Sequence, residues 1–359
     1  MALNPSGVMS LGGSTVGASI NLELNLLATA TASIGQADFR ALAQKPSGII
    51  SLSDFYGKSN VIVIPPITAT TSNLVITAFG IPGYVAGESK VELTINSGVY
   101  LYSTDTSQPA LKFIDFVTGD QIVVVNNGFI MGKGGKGGGR TNSSTGEPGG
   151  PAISTNVNIS IVNNSYIGGG GGGGSAYVGG GGAGGGDGGE PNLSNQDRPN
   201  ATFGVGGAPG MMGTAASGYS ITIISNRYGL YAATGAGGGG GRIFPGTGGA
   251  GGPISDGVPS PPYAQGGGAG GGGASAVVNL FDSGSAGLGG AGGAGGSPGA
   301  TSIFVYGRGG GGGGGGGWGA SGGMTVLNGT PGGIGGKAVE LNGKTATISG
   351  TGTIFGAIS

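Results

Sequence analysis

The acidic residues that cluster most closely in a loop-like stretch are Asp187, Glu190 and Asp197. Paired carboxylates at such a spacing are what a glycan-cleaving enzyme uses as general acid and base, and the same oxygens suit calcium. Their setting is a glycine- and proline-rich loop, where acids commonly serve as solvated turn residues, and it lacks EF-hand spacing. The chain contains neither histidine nor cysteine. That removes Ser-His-Asp and Cys-His nucleophiles, imidazole or thiolate metal sites, and disulfides. GxGxxG matches arise by composition alone in so glycine-rich a chain and carry no meaning without a strand, turn and helix around them. The P-loop requires glycine six residues before the lysine of a Gly-Lys pair. At Lys58, Lys133, Lys136, Lys337 and Lys344 that position holds Leu52, Asn127, Ile130, Pro331 and Ala338. The sequence therefore predicts a protein that is not an enzyme, with no catalytic residue, no metal and no cofactor.

Recognition chemistry is better represented. Four loop-like stretches poor in glycine within the second half, Glu190–Phe203, Arg242–Pro245, Pro253–Gln265 and Asn279–Ser283, set aromatic rings beside Arg, Asp and Asn. Such a mixture stacks on sugars or inserts between the surface loops of another protein. The candidate contact residues are Asn195, Arg198, Phe203, Arg242, Phe244, Asp256, Tyr263 and Phe281. The competing reading folds the same rings back as apolar cover for the glycine-rich part. Trp318, embedded in glycine, is expected to be structural. A net charge of −1 gives no electrostatic reason to bind nucleic acid, and one Arg308-Gly309-Gly310 element does not supply one. No apolar run approaches the roughly 20 residues of a membrane span, and Met1-Ala2-Leu3-Asn4-Pro5 does not begin a secretory signal.

These segments must be positioned by a scaffold of glycine. Ninety-five of 359 residues are Gly, each losing more backbone freedom on folding than any other residue. A flexible tether would be polar and monotonous, whereas this stretch keeps inserting aromatic residues, and mean hydropathy is positive at +0.16. The ordered state open to polyglycine is the left-handed, three-residue-per-turn helix, whose amide groups all point outward to neighbouring helices. About ten such runs are legible: Gly132–Gly139, Gly168–Gly174, Gly179–Gly189, Gly204–Gly213, Gly235–Gly241, Gly246–Gly252, Gly266–Gly273, Gly287–Gly299, Gly307–Gly323 and Gly329–Gly336. Packed side by side they would form a slab with the other segments as loops.

The fold class read from the whole chain is mostly β and irregular. Residues 1–59 form a small module that docks onto something, with Pro5-Ser6-Gly7-Val8-Met9-Ser10-Leu11 repeated as Pro46-Ser47-Gly48-Ile49-Ile50-Ser51-Leu52. Between the copies lies a helix over 35–43, its Phe39 and Leu42 on one face. Residues 60–131 read as an antiparallel β-sandwich of six to eight strands, among them Asn60–Ile64, Leu74–Ala78, Lys90–Asn96 and Gln121–Val125, closed by the turn Asn126-Asn127-Gly128. Residues 132–336 are the polyglycine II slab. Residues 337–359, with Asn342-Gly343, read as a C-terminal β-hairpin cap. Strand-like segments Ile159–Asn164 and Ile221–Asn226 recur inside the glycine region.

Ser47-Gly48-Ile49-Ile50-Ser51-Leu52-Ser53-Asp54-Phe55-Tyr56-Gly57-Lys58-Ser59 resembles the signature at the start of tail proteins of tailed bacteriophages. The glycine runs with Trp318-Gly319-Ala320, and the end Gly350-Thr351-Gly352-Thr353-Ile354-Phe355, are similar to glycine-rich phage tail fibres and tail-tip adhesins. That resemblance implies a virion component, made in the host cytoplasm, which attaches to other tail proteins through its N-terminal module. Phe39, Leu42, Phe55 and Tyr56 are the attachment candidates. It further implies recognition of a bacterial surface receptor, an outer-membrane protein or a glycan, through loops on the slab, and a possible homotrimer. The alternatives are a purely structural tail protein and, more distantly, an ice-binding polyglycine bundle.

Overall fold

The computed structural model describes residues 3–24, 26–58, 60–87, 89–138, 144–175, 181–182, 184–187, 315–323 and 330–359. Its strands form three parallel sheets. The first is ordered β1 (Val61–Val63), β4 (Lys90–Ile95), β7 (Gln121–Asn126), β10 (Ile159–Asn163) and β13 (Ala346–Ser349). The second holds β2 (Thr71–Ser72), β5 (Tyr100–Tyr102), β8 (Phe129–Met131), β11 (Tyr166–Gly168) and β14 (Thr353–Phe355), and the third β3 (Leu74–Thr77), β6 (Leu111–Ile114), β9 (Ile153–Ser154) and β12 (Val339–Glu340). The chain visits the three sheets in turn and then repeats, so it winds as a three-faced β-solenoid in which each turn stacks on the one before.

This corrects two expectations. Residues 60–131 are not an antiparallel sandwich, because β1 through β8 pair only in parallel. Residues 337–359 are not a hairpin, because β13 pairs with β10 and β14 with β11. Asn342 and Gly343 do form a tight turn, with φ of 50° and 81° and Lys344 N–H donating to the Leu341 carbonyl, but the turn carries the chain from one face to the next. The expected boundaries at 131 and 336 also cut across the solenoid, whose third turn draws strands from both sides of the first and whose fourth turn from both sides of the second.

Alternation builds the core. On β4 the side chains of Val91, Leu93 and Ile95 are fully buried while Lys90, Glu92 and Thr94 are only half covered, the period of two that a one-sided strand requires. Register stacks Val91 on Ile122 and Ile159, and Leu93 on Val124 and Ile161. At the corner leading to the second face the column turns polar: Ile95 is followed by Asn126 and Asn163, both buried. Asn126 Nδ2 donates to Asn163 Oδ1 at 2.8 Å, and Asn163 Nδ2 donates to the Thr353 carbonyl at 3.2 Å. Stacked amides thus satisfy one another where the chain bends, as buried polar groups must.

The loop between β3 and β4 is pinned by Asp120, whose carboxylate accepts from Tyr84 Oη at 2.6 Å and from the amides of Gly87, Ser89 and Val117. Burial first, and then the hydrogen bond to Asp120, push the Tyr84 phenol up from 10.0 to about 12. A phenol that ionises less readily when folded stabilises fully below pH 10 and progressively less as pH rises through about 12. We expect a urea melt followed by circular dichroism to lose stability across that window. Tyr84→Phe should flatten the loss attributable to this group.

The N-terminal module has a core of its own: Leu3, Met9, Ile20, Phe39, Leu42, Ala43 and Phe55. Helix α1 (Ile20–Glu23) is capped by the Ser19 hydroxyl, which accepts from the Leu22 amide. Helix α2 (Ala37–Ala43) stops at Gln44, in a left-handed conformation with φ of 58°, two residues before Pro46, a common way to end a helix. A 3₁₀ turn over Leu52–Phe55 begins with a capping box of Ser51 and Asp54. Lys45 Nζ lies 2.8 Å from Asp54, and this partner, with the Ser51 amide, holds the Asp54 carboxyl at about 2.

Candidate functional site

The glycine-rich parts are insertions at one corner of the solenoid. In the third turn the chain leaves the second face at Met131 and reaches the third face at Ile153. In the fourth turn it leaves at Gly168 and returns at Val339. Both excursions start and finish at the same corner, one turn apart, so their first and last runs emerge side by side.

The described runs are extended and bonded to one another at three-residue steps. The amides of Gly132, Gly135 and Gly138 donate to the carbonyls of Gly168, Gly171 and Gly174. Those of Gly134 and Gly137 donate to Gly184 and Asp187, while the carbonyls of Lys133 and Lys136 accept from Gly150 and Glu147. Successive residues of a single run therefore address three different neighbours. The run from 169 to 175 is bonded in the same manner to 146–150, to 316–323 and to 333–336. A Cβ on Gly170 would lie 1.9 Å from the Lys133 carbonyl oxygen, and one on Gly172 1.9 Å from that of Gly333. Only glycine fits at that separation.

One participating run is missing from the sequence reading. Residues 146–150 pack among the others although Glu147 and Pro148 interrupt the glycines. The detectable signal was glycine at 146 and 149, the three-residue spacing at which an added Cβ would meet the carbonyls of Gly173 and Gly170, with Pro148 and Pro151 favouring the same extended backbone.

Trp318 joins the glycine runs to the solenoid. Outward from the second face project Tyr100, Phe129, Tyr166 and Phe355, stacked with centroid separations of 4.8, 5.8 and 6.2 Å and interplanar angles of 18° or less. The neighbouring column runs Tyr102, Met131, Gly168, Phe355 by register, and glycine leaves a gap in it. Trp318 fills that gap. Its ring would lie 3.0 Å from a Cβ on Gly168 and 3.2 Å from one on Gly184, and it is 4% exposed within a cluster with Phe129 and Met131.

The expected contact residues fare differently. Asn195, Arg198, Phe203, Arg242, Phe244, Asp256, Tyr263 and Phe281 lie outside the described residues, as do Glu190, Asp197, the strand-like Ile221–Asn226 and the five glycine runs between 204 and 299. Among the described residues no group of three or more carboxylates gathers as a metal site, and no helix is long and apolar enough to cross a membrane. In the module, Phe39 and Phe55 are fully buried, Leu42 is 4% exposed, and the Tyr56 hydroxyl is engaged with the Gly7 carbonyl. Phe39, Leu42 and Phe55 build the module core and leave no surface for a partner, whereas Tyr56 is half-buried at its edge. The large apolar side chains of the module that are exposed are Val8, Val16, Leu27, Ile49 and Leu52. Sequence alone could not separate the two sets, since both are apolar residues in short segments.

A family model described as phage tail fibre adhesin Gp38 matches residues 62–260, more than half of the chain. The chain belongs to that family. It is accordingly an adhesin of the phage tail fibre and a component of the virion tail. The match begins at the first strand of the solenoid and leaves the N-terminal module outside it. Among solved structures, the chain is similar to one from the gp37-gp38 adhesin tip complex of the bacteriophage S16 long tail fibre, at 19% identity and a TM-score of 0.40, covering 98% of this chain and 100% of that one. No curated protein matches.

Proposed function

We propose that this Gp38-family adhesin recognises a bacterial surface receptor, an outer-membrane protein or a glycan, through the segments that connect its glycine runs, without enzymatic activity. The observation that carries the reading is the three-residue bonding of the runs to one another. Every described run spends its backbone groups on its neighbours, so a lattice of this kind has no contact chemistry except in the segments between the runs. Those segments hold Asn195, Arg198, Phe203, Arg242, Phe244, Asp256, Tyr263 and Phe281. We read the runs as polyglycine II helices, the form whose amides point outward at three-residue intervals, continued through the remaining glycine stretches into a slab of about ten. The N-terminal module would hold the adhesin to another tail protein.

The test uses the whole chain, because a fragment beginning at 132 would lack the first turns of the solenoid. Purified protein should compete with phage for adsorption to host cells. Replacing Arg242–Pro245 and Pro253–Gln265 by Gly/Ser of equal length should abolish competition while leaving the circular dichroism melt unchanged. A folded wild-type chain that neither binds cells nor competes would sink the receptor reading in favour of a structural tail protein.

A further inference from the structure

The aromatic ladder on the second face ends at a step. Phe129, with a ring stacked on either side, is only 8% exposed. Tyr100 stacks on Phe129 through one face and is half-buried, as is Tyr102 in the neighbouring column. In the first turn the register sets Ser72 opposite Tyr102. Continued by one residue it sets the exposed Thr70 opposite Tyr100, whose amide donates to the Thr70 hydroxyl at 3.2 Å. Neither Ser nor Thr is large enough to cover a phenol ring. One face of each tyrosine is thus left without a ring against it among the described residues. The two rings belong to residues i and i+2 of one strand, on the order of 7 Å apart.

Fixed polar groups fringe the step. Asn73, in a left-handed conformation with φ of 47°, donates through Nδ2 to Thr104 Oγ1 at 2.6 Å and accepts at Oδ1 from the Thr104 amide at 3.1 Å. This clasp orients both side chains and leaves each a further donor hydrogen. No charged side chain occurs in residues 67–74 or 98–104, so an ionic ligand would find no counter-charge on these segments. Flat apolar faces beside preorganised neutral hydroxyl and amide groups match a molecule with an apolar C–H face and a rim of hydroxyls. We infer that the Tyr100 and Tyr102 step is a second contact of the adhesin, a subsite for a neutral pyranose of the bacterial surface polysaccharide. It uses the solenoid itself and stands whether or not the segments between the glycine runs bind a receptor.

The probe is the saccharide of host lipopolysaccharide, freed of its lipid by mild acid and added to the whole chain. Saturation-transfer difference NMR, irradiating the aromatic protons, should carry saturation to the C–H protons of the sugar. Thr70→Tyr places a ring opposite Tyr100 at an exposed position, and should block the step and weaken binding about tenfold or more with an unchanged melt. Tyr100→Ala should weaken it about tenfold, while Tyr100→Phe, which keeps the ring face, should stay within about twofold. Because Tyr100→Ala also removes a partner of Phe129, Thr70→Tyr is the deciding variant. Undiminished binding by folded Thr70→Tyr overturns the inference, as does a wild-type chain to whose saccharide no saturation passes. The variant with Arg242–Pro245 and Pro253–Gln265 replaced by Gly/Ser should retain the saccharide. Losing it there would assign the sugar to those segments and overturn the step as its site. A wild-type chain that binds the saccharide through the step yet does not compete for cells would count against the receptor reading alone.

Discussion

Replacing Trp318 by Ala is expected to detach the glycine runs from the solenoid and to lose about 3–5 kcal/mol, the range for truncating a buried large aromatic side chain. The ring occupies a gap created by Gly168 and closes a cluster of Phe129 and Met131 at 4% exposure. Nothing small can collapse into that space, because the surrounding glycines are fixed by backbone hydrogen bonds and have no side chains to move. The readout is unusually direct, since Trp318 is the chain's single tryptophan. In the wild type its emission should be blue-shifted and should move to longer wavelength when the glycine runs separate from the second face. Circular dichroism in the strand region follows the solenoid, whose core is a separate cluster. Trp318→Ala should therefore leave the strand signal at 25 °C intact, lower the denaturation midpoint and reduce host-cell binding, while Trp318→Phe should restore most of both. A Trp318→Ala protein that melts and binds as wild type does would show that the tryptophan is incidental to the joint.

The strands of the solenoid were legible because β-branched runs and alternation mark a strand whichever way its partner points. Val91, Leu93 and Ile95 show the same period of two in a parallel or an antiparallel sheet, so direction could not be read from them. The missing signal was spacing between repeats. Asn96-Ser97-Gly98, Asn127-Gly128 and Asn164-Ser165 each follow a strand of the first face and precede Tyr100, Phe129 or Tyr166 on the second. Taken together they are one corner repeated every turn, not three hairpin turns. The long insertion before β12 hid the fourth turn, whose third face is reached only after the chain has passed through the glycine region. The N-terminal module was visible as a repeat, but which of its apolar residues face inward depends on the Gly7 and Gly48 bends, and composition does not encode that.

Gly170→Ala is expected to be more damaging than its size suggests, and it separates the interlocked-backbone account from one in which the runs are loosely associated. In an unconstrained site the added methyl would stabilise by about 0.4–1 kcal/mol through the unfolded chain. Here the Cβ would sit 1.9 Å from the Lys133 carbonyl oxygen and 2.4 Å from its carbon, both backbone atoms that no rotamer change can remove. The run could give way only by breaking the bond from the Gly170 amide to Gly150 at 2.9 Å and the one it accepts from Gly336 at 2.7 Å, each contributing about 1 kcal/mol. Added to an overpacking penalty of about 1–3 kcal/mol, the net loss should be about 3 kcal/mol or more. Gly80→Ala is the matched control, with no positive φ and nothing within 4 Å of its Cβ, and it should stay within about 0.5 kcal/mol of wild type. Urea melts monitored by Trp318 emission distinguish the two. If Gly170→Ala unfolds at the wild-type midpoint, neighbouring runs must be free to slide apart, and a lattice that loose could not hold recognition segments in fixed positions on the fibre tip.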